Sequence, residues 1–191
     1  MSLKFAVVCA SNQNRSMEAH NFMHKRGLSV KSFGCGKEVK LPGPSQDKPN
    51  VYSFDTPYDV MYKDLVEKDR YLYNQNGVLH MLERNRRIKR HPERFQESRE
   101  RFDVIFTVEE RIFDIVLEEL DSRKRNPTEW VHIINIEISD NHDEATLGAF
   151  RLCELAELLE ATEDLDTDIY DILKDYEGRC KTTVMHSIAF F

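Results

Sequence analysis

Hydrophobic positions along the chain follow two rhythms. Residues 3–9 form a short run that is apolar at nearly every position and stops at a polar loop, the pattern of a strand buried on both faces. The loop covers residues 10–14. Residues 15–25 then place Met17, Phe22 and Met23 on one side of a helix, and Gly27 closes it as a C-terminal cap. Residues 28–33 alternate as a second strand. Strand, loop, helix and strand in that order make the repeating unit of a doubly wound α/β sheet.

Residues 34–95 break the rhythm. Gly34, Gly36, Pro42, Gly43, Pro44, Pro49 and Pro57 punctuate the first half, which reads as loop-rich, while 58–73 and 77–90 read as helices. An excursion of this size between two strands is unusual for a minimal α/β unit, and long insertions commonly carry recognition. From Phe102 the rhythm resumes: a strand at 104–107, a helix at 109–120, a strand at 131–138 and a helix at 145–161. An acidic helix at about 166–178 follows, and 182–191 reads as a last edge strand. The expected fold is α/β: a mostly parallel, doubly wound sheet with helices on both faces and an insertion after the second strand.

The length of 191 residues suits a single domain that includes the insertion. Apolar residues at 40% supply a real core, which excludes wholesale disorder. The chain has no apolar run long enough to cross a membrane and no signal-peptide layout, so the expectation is a soluble intracellular protein without a membrane partner. A formal net charge of −7 argues against a generic nucleic-acid binder. The charge is uneven: residues 84–101 hold eight Lys/Arg against three Glu, and residues 137–177 hold fourteen Asp/Glu against two Lys/Arg. Solvated helix faces explain such runs, and so does a basic insertion that meets a phosphorylated partner. Cys9, Cys35, Cys153 and Cys180 lack the spacing of a metal site, so no metal or other cofactor is expected and each is read singly.

One stretch carries chemistry. Cys9-Ala10-Ser11-Asn12-Gln13-Asn14-Arg15-Ser16 fits C-x5-R-S, with the cysteine at a strand end and the arginine at a helix start. Loop amides and a helix N-terminus converge there into an anion site. A helix N-terminus and a guanidinium stabilise a thiolate, which can attack phosphorus. The backbone of residues 10–16 would wrap the phosphoryl oxygens, and Arg15 would hold two of them bidentately. Ser16 would donate a hydrogen bond to the sulfur and help it leave. Asn12 suits a left-handed turn within the loop.

The leaving oxygen needs a proton, so an acid belongs near the loop mouth. In doubly wound folds such residues follow strand carboxyl ends. Asp140 is the first carboxylate past the strand at 131–138 and the first choice; Asp143 is second and Glu137 third. Asp143 is also placed to cap the following helix, and His142 reads as a loop residue.

The cysteine precedes the acid by about 130 residues, an order that resembles the low-molecular-weight tyrosine phosphatases. The loop departs from that family at Ser11, where glycine is common, and at Asn14, where a second cysteine is common; the acid loop lacks Asp-Pro-Tyr. A closer resemblance rests on the stretch from Val8 to His20, on Lys40-Leu41-Pro42-Gly43-Pro44 and on Asp47-Lys48-Pro49-Asn50-Val51-Tyr52. Gln75-Asn76-Gly77-Val78-Leu79-His80-Met81-Leu82, Pro92-Glu93-Arg94-Phe95-Gln96 and Asp140 to Phe150 extend it over essentially the whole chain. These stretches are similar to the eukaryotic serine phosphatases of the RNA polymerase II C-terminal domain, which belong to the pre-mRNA cleavage and polyadenylation machinery.

The resemblance implies a low-molecular-weight-phosphatase core with an added insertion, a nuclear address and a symplekin-type scaffold partner. It implies no metal. It further implies a substrate, phosphoserine at the fifth position of the Tyr-Ser-Pro-Thr-Ser-Pro-Ser repeat with the next proline bond cis. Cys9, Arg15 and Asp140 match the nucleophile, the phosphate-binding arginine and the acid. Lys40, Leu41, Pro42, Tyr73 and Met81 would line an apolar groove for the cis proline.

Two other classes compete. A tyrosine-directed or arsenate-reductase-like enzyme of the same fold would, as a reductase, need a second cysteine near the loop, and only Cys35 is placed for it. A non-catalytic phosphopeptide-binding subunit would need no nucleophile.

Overall fold

The computed structural model describes residues 2–124 and 126–191. Strand β1 (Lys4–Cys9) is buried from Phe5 onward, as its continuous apolar run requires. Helix α1 (Arg15–Lys25) follows and ends at Gly27, whose φ of +80° supplies the left-handed turn into β2 (Ser29–Gly34). After the insertion come β5 (Val104–Thr107), α4 (Glu110–Ser122), β6 (Trp130–Ile136), α5 (His142–Glu160), α6 (Leu165–Cys180) and β7 (Val184–Phe190).

The sheet order is β2-β1-β5-β6-β7; the first four strands are parallel, and β7 pairs antiparallel with β6 from Trp130 opposite Phe190 to Ile136 opposite Val184. The chain moves one way from β1 to β2 and the opposite way from β5 to β6. Right-handed crossovers then put α1 and α4 on opposite faces. The gap between the carboxyl ends of β1 and β5 is thus the topological switch point, where doubly wound folds bind ligands.

The insertion departs from expectation in its first half. Val39–Leu41 (β3) and Asn50–Tyr52 (β4) form an antiparallel hairpin where only loop is legible in the sequence. Three-residue strands among prolines and glycines give no period long enough to read. The two helices are present as α2 (Tyr58–Gln75) and α3 (Val78–Ile88). Helix α2 breaks at Asp69, whose φ of −166° is extended and whose carboxylate accepts from Leu72 N–H at 3.0 Å, so it caps the second segment. Hairpin and helices enclose a second core of Met17, Val39, Leu41, Tyr58, Met61, Leu65, Tyr73 and Leu82, separate from the core along the sheet.

Two boundaries near the acid loop also shift. Strand β6 stops at Ile136, because Glu137 turns to accept from Glu110 N–H at 2.6 Å and so caps the start of α4. Helix α5 starts at His142, three residues early. Its cap is Asn141, which accepts from Glu144 N–H at 2.9 Å, and not Asp143.

Candidate active site

Cys9 ends β1 at the switch point, 3% exposed. The polypeptide then turns through Asn12, which holds the left-handed φ of 54° expected of it. Four bonds fix Asn12: its N–H points at Cys9 Sγ (3.3 Å), its Nδ2 donates to Ser16 Oγ (2.9 Å), its Oδ1 accepts from Glu93 N–H (3.0 Å), and its carbonyl accepts from Tyr58 Oη (2.7 Å). Burial pushes the Tyr58 hydroxyl well above its usual range, which keeps that proton in place. Ser16 Oγ accepts from Asn12 Nδ2 and lies 3.0 Å from Cys9 Sγ; the thiol S–H donates to it, and once the sulfur is ionised the serine proton can turn to the sulfur.

The loop is held from behind by the insertion. The Gln13 carbonyl accepts from Arg84 Nη2 and from Asn85 Nδ2, both at 2.9 Å, and Arg84 also pairs with Glu18. Burial brings the Arg84 guanidinium down to about 10, still cationic at neutral pH. Ser11 Oγ accepts from Lys40 N–H at 3.1 Å, which fastens β3 to the loop at the position where glycine is common in low-molecular-weight phosphatases. Gly34 makes the approach possible: a Cβ there would lie 2.8 Å from the Ala10 carbonyl and 3.0 Å from Asn12 N.

Arg15, 5% exposed, donates through Nη1 to Glu109 Oε2 (3.2 Å) and to the Ile138 carbonyl (3.0 Å). Burial would raise the Glu109 carboxyl, but hydrogen bonds from Arg15 and Arg111 outweigh it and hold the group below its usual range, charged against Arg15. Arg15 Nε is buried with no hydrogen-bond partner, and Asp140 Oδ1 lies 3.7 Å from it. Arg15 lines the cleft, so a bound anion would satisfy that donor. Helix α1 has no side-chain cap, and its cap residue Asn14 spends its amide on Asp140 Oδ1 at 3.0 Å. Asp140 is 64% exposed at the mouth.

The cleft holds about 250 Å³ and is lined by Cys9, Ser11, Gln13, Asn14 and Arg15 on the loop, with Asp140, Asn141 and His142 at one side. Lys40, Leu41, Pro42, Asn76, Val78 and Met81 from the insertion complete it. Four of the five expected groove residues are therefore in the wall. Tyr73 is the exception: it is 1% exposed in the second core, where its hydroxyl accepts from Asn50 Nδ2 at 2.9 Å. Its helical spacing serves packing. Of the alternative acids, Glu137 serves α4 and Asp143 lies within the first turn of α5.

Sequence reasoning missed Tyr58, Arg84, Asn85, Glu93 and Glu109. Asn85 had a signal: Val78, Met81, Leu82 and Asn85 share one helical stripe, and a polar residue on an apolar stripe calls for a partner. The basic run at 84–101 is largely used inside the molecule. Arg86 pairs with Asp59, Arg87 with Glu83, Lys89 with Glu93 and the Ser32 carbonyl, and Arg101 with Glu129. Burial pushes the Cys35 thiol up to about 11, which keeps it protonated and poorly suited to a reductase relay. Among the described residues no group of three His, Cys, Asp or Glu is placed to hold a metal ion, and no helix is long and apolar enough to cross a membrane.

Comparison with known proteins meets this geometry over the whole chain. A family model described as "Ssu72-like protein" matches residues 3–191. The chain is 56% identical over 189 residues to the human RNA polymerase II C-terminal domain phosphatase SSU72, covering 99% of this chain and 97% of that one. It is 48% identical over 190 residues to the human SSU72 like protein 2, covering 100% and 98%. Drosophila melanogaster Ssu72 with Symplekin, bound to a cis peptidomimetic phosphorylated at serine 5 of the C-terminal domain, superimposes with a TM-score of 0.97 at 47% identity, covering 100% of this chain and 99% of that chain. A second D. melanogaster structure, described as the serine phosphatase of the RNA polymerase II C-terminal domain, gives 0.98 at 48%, covering 100% of both chains. With a strand-end thiol and a helix-start arginine in one cleft, matched by the family model over residues 3–191 and 56% identical to a human relative over nearly its whole length, the chain belongs to the Ssu72 family.

Proposed function

We propose that this chain is a protein-serine phosphatase that hydrolyses phosphoserine in the heptad repeats of the RNA polymerase II C-terminal domain, through a phosphocysteine on Cys9. The observation that carries the reading is the convergence at the switch point. Asn12 N–H points at one buried sulfur, Ser16 Oγ lies 3.0 Å from it, Arg15 Nε has no hydrogen-bond partner, and Asp140 sits at the mouth. The phosphoryl oxygens lie against Arg15 and the amides of residues 10–16. The Cys9 thiolate attacks phosphorus; the P–O bond to serine breaks, and Asp140 gives its proton to the leaving serine oxygen. Asp140, now a carboxylate, takes a proton from the water that attacks the phosphocysteine. Phosphate leaves, and Ser16 hydrogen-bonds the departing thiolate.

A serine alkoxide is a far poorer leaving group than a phenolate, so proton transfer carries much of the rate. The wall of Leu41, Pro42, Val78 and Met81 is short and stiffened by prolines, and it takes the fifth-position phosphoserine with its following proline bond cis. Likeness to a relative solved with a cis peptidomimetic supports that choice. Residues 1–191 act as one catalytic domain with recognition placed in residues 34–95. The work belongs to transcription and mRNA 3′-end processing in the nucleus, on a symplekin-type scaffold, without a metal or a membrane.

Activity on heptad peptides phosphorylated singly at each serine, with phosphate release measured in the presence and absence of a prolyl isomerase, tests this. The fifth-position peptide should be the best substrate, and EDTA should leave its rate unchanged. Equal rates at every position, or a phosphotyrosine peptide outpacing all of them, would overturn it.

A further inference from the structure

Asp140 stands largely in solvent, so its position is set by tethers and not by packing. One end of its loop is held at Ile138, whose N–H donates to the Val108 carbonyl at 3.0 Å and whose carbonyl accepts from Arg15. The other end is held at His142, the first residue of α5, by a bond across to the insertion. His142 Nε2 lies 3.0 Å from the Asn76 carbonyl in the turn between α2 and α3. A carbonyl only accepts, so Nε2 carries the proton. That turn is shaped for the ring. Gly77 has a φ of +79°, and a Cβ on it would come within 2.9 Å of His142 Nε2. Asn76 Oδ1 in turn accepts from Val78 N–H at 3.1 Å, which fixes the turn to the start of α3. His142 is exposed, so core packing does not account for its place.

We propose that His142 is a positioning residue for Asp140: a latch by which the recognition insertion holds the acid loop in register with the nucleophile. The proposal rests on Asp140 being the general acid. The latch joins the start of α3, which lines the peptide wall through Val78 and Met81, to the loop that delivers the proton. Recognition and proton delivery then share one hinge.

Steady-state kinetics on the fifth-position phosphoserine peptide and on p-nitrophenyl phosphate test the latch. In His142→Ala the peptide kcat should fall about 10- to 50-fold, a part of the roughly 10²–10⁴-fold that positioned proton transfer supplies. KM should change little, and p-nitrophenyl phosphate, whose leaving group scarcely needs a proton, should lose far less. A glutamine amide reaches the place of Nε2 and an asparagine amide only that of Nδ1, so His142→Gln should restore most of the peptide rate and His142→Asn should not. Equal losses on both substrates, no loss on either, or equal rates in the Gln and Asn variants would overturn the latch. Should His142→Ala fail to fold, the Gln and Asn variants decide alone. Asp140→Asn separates the two readings. Selective peptide loss there without it in His142→Ala sinks the latch and leaves the acid standing; no selective loss in Asp140→Asn sinks the acid, and the latch with it.

Discussion

Asn14 Nδ2 donates a hydrogen bond to Asp140 Oδ1 at 3.0 Å, so the residue at the N-cap position of the helix after Cys9 also holds the proposed general acid. Helix caps usually spend their side chain on their own backbone, and this one is spent across the cleft. Asp140→Asn should cut turnover of the phosphoserine peptide by about 10²–10⁴-fold and that of p-nitrophenyl phosphate much less. Asn14→Ala should show the same substrate pattern at a smaller scale, roughly 3- to 30-fold, because Arg15 and the loop tethers remain. Parallel kinetics on the two substrates check both, and an equal loss on both substrates would reassign Asn14 to phosphate binding.

Removing the nucleophile should separate chemistry from binding. Cys9→Ser should abolish phosphate release yet keep vanadate or phosphate binding, since Arg15 and the loop amides are untouched; calorimetry on the variant reads this directly. Ser16→Ala removes the hydroxyl 3.0 Å from the sulfur, whose proton is available to a departing thiolate. It should slow breakdown of the phosphocysteine, so rapid-quench experiments should trap a phosphorylated enzyme that the parent protein does not accumulate.

The groove predicts two kinetic phases. With enzyme in excess, an enzyme restricted to the cis form should consume the pre-existing cis fraction in a burst. A slow phase of roughly tens to hundreds of seconds should follow, and a prolyl isomerase should erase it. Met81→Ala, in the wall, should weaken peptide turnover far more than that of p-nitrophenyl phosphate. Tyr73→Ala should act through stability instead, costing about 3–5 kcal/mol as a large buried aromatic, read as a lower urea midpoint. A single phase indifferent to the isomerase would show that trans proline is accepted.

His20 sets a pH dependence of stability. Burial, with Lys89, His24 and Lys31 nearby, lowers it from 6.5 to about 4, and its Nδ1 bonds Ser32 Oγ at 2.8 Å. The unfolded chain therefore takes up a proton that the folded chain refuses. Stability should be full above about pH 6.5, fall on the way to pH 4 and level off below, by roughly 2–3 kcal/mol. Urea midpoints measured across that window should flatten in His20→Gln.

The sheet was legible because its strands declared themselves by apolar runs or by alternation and the helices by stripes, whereas strand order, and with it the switch point, came only from the fold. That Cys9, Arg15 and Asp140 meet at one cleft was legible because chain order and strand ends fix where they stand. What escaped depended on contacts between distant segments. Nothing in the sequence around Glu109 says that it faces Arg15, and Tyr58 reads as any aromatic at a helix start until its hydroxyl is seen on the Asn12 carbonyl. Tyr73 went astray for the opposite reason, since a helical stripe shows that a residue is inward but not which of two inward surfaces it meets.

The carbonyls of Ala10, Asn12 and Gln13 are all bonded by groups from residues 36–85, namely Gly36 N–H, Tyr58 Oη, and Arg84 with Asn85. No smaller catalyst can be cut out of this protein. Excising the insertion would strand these three acceptors behind the loop of residues 10–16, so a truncated descendant would lose the proposed chemistry together with the cleft wall. Lineages must therefore inherit the two as one block, and peptide preference can drift only through side chains on the outer wall of the cleft.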